Sequence, residues 1–276
     1  MSEKINVRGV YVDNVELHKA AEICESFINS ENHRGKSGNG FAVYTPNAEI
    51  IQACIEDASI RELINSADLV TPDGSGVVLA SKILGTPLKA KTAGYDLGLE
   101  MARLSAENGW RVFLLGGKPE TDGAAPIAEQ AADKLREKFP ALNVVGTHHG
   151  YFKKEGAESD MVIELVNKAA PDILYVCLGV PVQEKWIAAN RDKMPSVRLF
   201  MALGGSLDGY SGNVKRAPKI FIKLGLEWFY RLICQPSRIG RMMKLPKFVF
   251  GTIFYKISGK YRRDTRGTDK KSGQEK

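Results

Sequence analysis

Five short segments of this 276-residue chain set a turn former beside polar groups or paired glycines: Thr45-Pro46-Asn47, Pro72-Asp73-Gly74, Gly116-Gly117-Lys118, Gly179-Val180-Pro181 and Gly204-Gly205-Ser206. Singly, each has a bland explanation. Pro-Asp-Gly is a common turn, with proline fixing one dihedral and glycine taking a positive φ, and a Gly-Gly pair lets a strand turn tightly into a helix. As a set they would bring backbone amides and helix N-termini to one rim, which is how an anionic phosphate is held without a dedicated motif. The chain has no GxGxxG and no GxxxxGK[ST], so neither a dinucleotide fingerprint nor a P-loop is available. It also has no Asp-x-Asp triplet and no His, Cys and carboxylate set with ligand spacing; His148-His149 reads as loop. No metal and no cofactor are expected. A nucleotide diphosphate bound on these terms needs other positive charge, and Arg231, Arg238 and Arg241 are available for it.

The elements that must position these segments are legible as alternating patterns. Phe41–Thr45, Asp68–Thr71, Arg111–Leu115, Leu142–Gly146, Ile173–Leu178 and Leu199–Leu203 are short apolar runs that predict strands. Between them, Ala48–Glu56, Gly76–Leu84, Leu97–Asn108, Ala125–Phe139, Glu158–Ala169 and Gln183–Arg191 predict helices. Alternation of this kind implies an α/β, Rossmann-like fold: a mainly parallel sheet built by right-handed crossovers, with helices on both faces. Ligands of such sheets gather at the carboxyl ends of the strands, where the five segments fall. Cys24, Cys54, Cys177 and Cys234 are scattered without pairing and read as reduced thiols, and the N-terminus shows no basic-then-apolar leader, so a cytoplasmic protein is expected.

Charge divides the chain unevenly. From Lys215 onward the last 62 residues carry 17 Lys and Arg against four acidic residues, whereas the first 214 carry 22 against 28, so the net +7 hides an acidic body and a basic tail. Phe221, Trp228, Phe229, Tyr230, Phe248, Phe250, Phe254 and Tyr255 are interleaved with those charges, a mixture suited to an anionic membrane surface. Nucleic acid is disfavoured, because binding it would not require so much contiguous Ile, Leu, Phe and Met. Lys219, Lys223, Glu227 and Arg231 recur every four residues, which predicts one helix with a charged stripe that lies on a surface rather than crossing it. The expected organisation is a body over 1–214, a membrane-facing helical appendage over 215–258 and a disordered basic tail over 259–276.

Four blocks carry a family resemblance: Thr45-Pro46-Asn47-Ala48-Glu49; Ala67 to Val77; Gly179 to Trp186; and Gly204-Gly205-Ser206-Leu207-Asp208 followed by Gly212 and Lys215-Arg216-Ala217-Pro218. In this order they resemble the signature blocks of the WecG/TagA/CpsF glycosyltransferases, a similarity that runs from about Val10 to Phe250. The resemblance implies an inverting, metal-independent, membrane-associated transferase. It would move an N-acetylmannosamine-type sugar from a UDP donor to the first sugar of a polyprenyl-diphosphate lipid. Teichoic-acid members use UDP-N-acetylmannosamine and N-acetylglucosaminyl-diphospho-undecaprenol; enterobacterial members use the uronic acid. A basic C-terminal appendage that helps complete the site, peripheral attachment to the inner face of the cell membrane, and self-association of the body are implied as well.

An inverting transfer needs a base to take the acceptor hydroxyl's proton as it attacks the anomeric carbon, and a carboxylate on a strand-end turn is a suitable group. Asp73 matches the family's base. Thr45 would orient a substrate hydroxyl and Gln183 would supply neutral hydrogen bonds, while Arg231, Arg238 and Arg241, with Pro236 between the first two, match the appendage arginines that would steady the departing UDP. Asn47, Gly116, Gly117, Gly179, Gly204, Gly205 and Asp208 are expected to line the substrates. Two other classes compete. A nucleotide-binding oxidoreductase should show the missing GxGxxG, and a membrane scaffold without activity gives no reason for polar residues at successive strand ends.

Overall fold

A computed structural model describes residues 2–214, 217–223, 225–234, 240 and 244–259. The six expected strands all form and all join one parallel sheet. They are β5 (Phe41–Tyr44), β6 (Leu69–Val70), β7 (Arg111–Gly116), β8 (Asn143–His148), β9 (Ile173–Cys177) and β10 (Leu199–Ala202), in the order β6-β5-β10-β9-β7-β8. Every residue of β9 and β10 is buried, as a parallel strand covered on both faces requires. Alternate side chains sort by face. Ala42, Tyr44, Leu174, Val176, Phe200 and Ala202 enter one core layer, while Val43, Ile173, Tyr175, Leu199 and Met201 enter the other.

The connecting helices are α2 (Ala48–Glu56), α3 (Ala58–Asn65), α4 (Ser75–Leu84), α5 (Gly94–Asn108), α6 (Ile127–Lys138), α7 (Ala157–Ala169), α8 (Val182–Asn190) and the short α9 (Ser206–Tyr210). Between β9 and β7 the chain changes direction: β7 runs outward to β8 at the edge, whereas β9 runs back to β10. In open α/β sheets such a reversal marks where ligands bind, at the carboxyl ends of the two strands.

The elements before β5, and α3, lie outside the sequence-based expectation. A hairpin of β1 (Lys4–Val7) and β2 (Val10–Asp13) precedes α1 (Leu17–Ile28), and β3 (Arg34–Gly35) pairs with β4 (Gly38–Asn39). Long-range polar contacts hold the first hairpin. Asn65 accepts from Tyr11 N at 3.0 Å and donates to Gly9 O at 2.9 Å, and Asp13 accepts from Val70 N at 2.8 Å.

The charged-stripe helix expected from Lys219 to Arg231 is instead two helices, α10 (Lys219–Lys223) and α11 (Glu227–Cys234). Gly225, at φ +70°, ends the first: its N–H donates to Ile222 O at 3.1 Å, and Leu226 N donates to Phe221 O at 2.8 Å. This paired-bond cap terminates a helix whatever the charge spacing beyond it. The last described helix, α12 (Lys244–Ile257), packs on α2 and α4. Phe248 is fully buried in the same core layer as Ile51 and Val77, and Lys247 pairs with Glu56 at 2.7 Å. The opposite side of α12 exposes Phe250, Phe254 and Ile257 at 72, 70 and 78%. No described helix is long and apolar enough to cross a membrane. The tail expected beyond Gly259, and the proline expected to separate the tail arginines, lie outside the described residues.

Candidate active site

The five strand-end segments fall along one rim, and hydrogen bonds join several of them. At the left, β6 leads into Pro72-Asp73-Gly74, and Asp73 N donates to Pro46 O at 3.2 Å, joining that turn to the end of β5. Asn47 caps α2, accepting from Ile50 N at 3.0 Å, and a Cβ on Gly74 would lie 4.0 Å from Asn47 Cβ. Asp73 is half-buried between them. Thr45 is nearly buried, and its hydroxyl donates to Ala202 O at 3.1 Å, joining β5 to β10. The N-terminus of α5 comes so close that a Cβ on Gly94 would sit 2.6 Å from Thr45 Oγ1.

From β10 the rim continues through Gly204, whose N–H donates to Gln183 Oε1 at 3.0 Å. Gln183 Nε2 in turn donates to Glu184 Oε1 at 2.9 Å. Gln183 is thus a buried brace between two strand ends, with its amide carbonyl and one N–H already engaged. On the right, Gly116 backs onto Cys177 and Gly117 O accepts from Gly150 N at 2.8 Å, closing the rim toward β8. Gly116, Gly117, Gly179 and Gly204 have φ of +142, +73, +77 and +59°, in the region that side-chain-bearing residues rarely adopt. Asp208, on α9, is half-buried; its carbonyl accepts from Val214 N at 3.0 Å, and a Cβ on Gly205 would come within 3.5 Å of its carboxylate.

The polypeptide after Val214 reaches this rim beside Asp73. Ser75 Oγ donates to Gly225 O at 2.7 Å, and Lys91 pairs with Glu227 at 2.7 Å, which docks the start of α11 on the 72–76 turn and on the loop that follows α4. That loop is itself tied to the turn, Thr92 N donating to Pro72 O at 2.9 Å. Arg231 lies one turn beyond Glu227 on α11. Arg238 and Arg241 lie outside the described residues, so of the three expected arginines only the backbone of the first is placed near the turn.

The electrostatics of the rim come from burial more than from paired charge. Burial pushes the Cys177 thiol up to about 12, which leaves it protonated and no nucleophile. It also lowers His148, so the imidazole at the end of β8 is neutral near pH 7, and it lowers Lys154, whose ammonium donates to Gly150 O at 2.9 Å. Glu184 is the residue that sequence reasoning missed: fully buried, its carboxyl is pushed up to about 7 by desolvation, against the hydrogen bonds from Gln183 and its own N–H. The only signal was a carboxylate in the first turn of a helix, between Gln183 and Lys185, indistinguishable in sequence from a favourable helix-end charge. Among the described residues no group of three or more His, Cys, Asp or Glu side chains converges to hold a metal ion.

The rim is therefore equipped for group transfer: a carboxylate on a turn, buried hydrogen-bonding groups on adjacent strands, and four helices of nine to fifteen residues (α2, α4, α5, α8) beginning at the same edge of the sheet. Comparison with known proteins agrees with that chemistry. A family model described as "Glycosyl transferase WecG/TagA/CpsF family" matches residues 5–262. Three relatives are each named N-acetylglucosaminyldiphosphoundecaprenol N-acetyl-beta-D-mannosaminyltransferase. That of Bacillus subtilis (strain 168) is 36% identical over 229 residues, covering 83% of this chain and 85% of the relative. That of Bacillus spizizenii is 36% identical over 214 residues (78% and 79%), and that of Staphylococcus aureus (strain MRSA252) 34% over 247 residues (90% and 91%).

Proposed function

This chain belongs to the WecG/TagA/CpsF family of glycosyltransferases, and from that premise we propose that it transfers N-acetylmannosamine, or a close relative of that sugar, from UDP to N-acetylglucosaminyl-diphospho-undecaprenol in teichoic-acid or related surface-polymer synthesis. The donor and acceptor follow the relatives' names. The observation that carries the reading is the Asp73 turn: a half-buried aspartate whose backbone N–H is held on Pro46 O, in a turn that passes Asn47 at the strand ends where α11 docks through Glu227.

In this mechanism Asp73 takes the proton of the acceptor hydroxyl as that oxygen attacks the anomeric carbon from the face opposite UDP, so configuration inverts. Its half-buried setting leaves it within reach of a substrate hydroxyl. Negative charge developing on the departing diphosphate is met by helix N-termini along the rim and by Arg231, Arg238 and Arg241, without a divalent ion. Thr45 acts through its position: its hydroxyl fixes β5 to β10 and so holds Pro46-Asn47 against the Asp73 turn. Asn47, Asp208 and the glycines of the rim line the substrates.

Residues 215–258 are the proposed membrane-facing segment. Phe250, Phe254 and Ile257 recur on the outer side of α12 beside Lys247 and Lys256, and Phe229 and Ile233 are exposed on α11. Aromatic residues set among basic ones suit peripheral attachment to an anionic leaflet, where the lipid-linked acceptor resides. The test is UDP release by purified protein, offered a panel of UDP-sugars and a short-chain lipid-diphosphate acceptor on anionic vesicles. Release dependent on UDP-N-acetylmannosamine and on the acceptor is the expected result; release with neither, or with a nucleotide other than UDP, defeats the assignment.

A further inference from the structure

Glu184 is 1% exposed, and its Oε2 is buried with no hydrogen-bond partner among the described residues. Its surroundings are neutral. Tyr44 on β5 and Cys54 on α2 are the titratable groups facing it; both are held protonated by burial, and the Tyr44 hydroxyl reaches the Glu184 backbone carbonyl at 3.4 Å rather than the carboxylate. A buried, half-satisfied carboxyl in an apolar layer destabilises a fold, so packing alone gives no reason for one here.

What the carboxyl does engage is Gln183. An amide side chain has two orientations of nearly equal shape, and neighbours choose between them. Here the choice is doubly determined. The Gly204 N–H requires an acceptor, which Gln183 Oε1 supplies at 3.0 Å, and Glu184 Oε1 requires a donor, which Gln183 Nε2 supplies at 2.9 Å. The flipped amide would set N–H against N–H and oxygen against oxygen.

We propose that Glu184 is a positioning residue of the transferase: it locks the buried Gln183 amide with its carbonyl on Gly204 and so fixes the Gly204–Gly205 turn at the rim. The role rests on the glycosyltransferase reading of the rim. It acts at a distance from the substrate, through one side chain, and it also sets the spacing between the turns after β9 and β10. A loosened Gln183 frees the Gly204–Gly205 turn, and misplacement of about 1 Å costs roughly 10²-fold in favourable cases.

The test is a set of turnover measurements on Glu184→Leu, Glu184→Gln, Gln183→Ala and the Gln183→Ala/Glu184→Leu double variant, with folding checked by amide NMR spectra. Glu184→Leu matches the apolar layer in shape and should fold, yet kcat should fall roughly 10- to 100-fold. Glu184→Gln, whose side-chain oxygen can still accept from Gln183, should restore most of that loss. In the Gln183→Ala background Glu184→Leu should cost nothing further, because the residue acts only through Gln183. Undiminished kcat in Glu184→Leu, or two losses that multiply in the double variant, overturns the proposal. An independent readout needs no turnover: the Gln183 side-chain NH2 resonances should be sharp and unequal in the wild type and should collapse or shift in Glu184→Leu. Wild-type protein that releases no UDP while these resonances behave as stated refutes the transferase reading and leaves the brace standing; resonances indifferent to Glu184→Leu refute the brace itself.

Discussion

Phe248→Ala is the substitution that measures how far the C-terminal segment is part of the body. The ring is fully buried, in the layer that also holds Ile51 of α2 and Val77 of α4. Burying an aromatic side chain removes ~150–250 Å² from water, and at ~25 cal/mol per Å² this is worth ~4–6 kcal/mol as an upper bound. Alanine retains a methyl and leaves a cavity that α12 can only partly close, so the expected loss is ~3–5 kcal/mol. Against a typical domain stability of ~5–15 kcal/mol this is a large fraction. Phe254→Ala, six residues away and 70% exposed, should change stability by less than ~0.5 kcal/mol while weakening partition onto anionic vesicles on the order of 10-fold. Urea unfolding monitored by circular dichroism, read as midpoint shift at constant m-value, gives the first quantity, and vesicle co-sedimentation the second. A loss below ~1 kcal/mol for Phe248→Ala would show that α12 is not held by that ring and that its two sides do not serve body and membrane separately.

Asp73→Asn keeps the turn's shape and should lower kcat by ~10²–10⁴-fold with the urea midpoint unchanged; near-normal turnover would reduce Asp73 to a turn residue. Glu184 makes stability depend on pH. Its folded-state carboxyl titrates about 7 against an ordinary 4.5, so the folded chain binds the proton more tightly, and stability is lost as pH rises from below 4.5 to above 7, by about 3 kcal/mol in all. Glu184→Gln should remove that slope, and an equal difference between variant and wild type at pH 5 and pH 8 would refute it. Turnover should change by less than about twofold when EDTA is added or Mg²⁺ supplied, whereas strong inhibition reversed by a divalent ion would mean that metal, rather than arginine and helix N-termini, faces the diphosphate.

The strands of the sheet were readable because a parallel strand buried on both faces is an unbroken apolar run, and Ile173–Cys177 and Leu199–Ala202 are such runs. The rim was readable for a related reason. Chains leaving a parallel strand must turn at once into a helix, so Pro72-Asp73-Gly74, Gly116-Gly117 and Gly204-Gly205 mark the strand ends locally. The first hairpin and α3 were less legible, since their polar bonds run from Asn65 to Gly9 and Tyr11 and from Asp13 to Val70, between residues more than fifty positions apart. Charge spacing of four described one helix from Lys219 to Arg231, but Gly225 capped it by taking a left-handed φ and docking on Ser75. Sequence by itself therefore determined the fold class, the family and the turns that form the rim, because each is written in contiguous residues. Tertiary structure alone decided that Thr45 spends its hydroxyl on Ala202, that Phe248 belongs to the core, and that Glu184 is a buried carboxyl holding Gln183. Those properties depend on which distant atoms exclude water or offer a partner, and no local pattern encodes that.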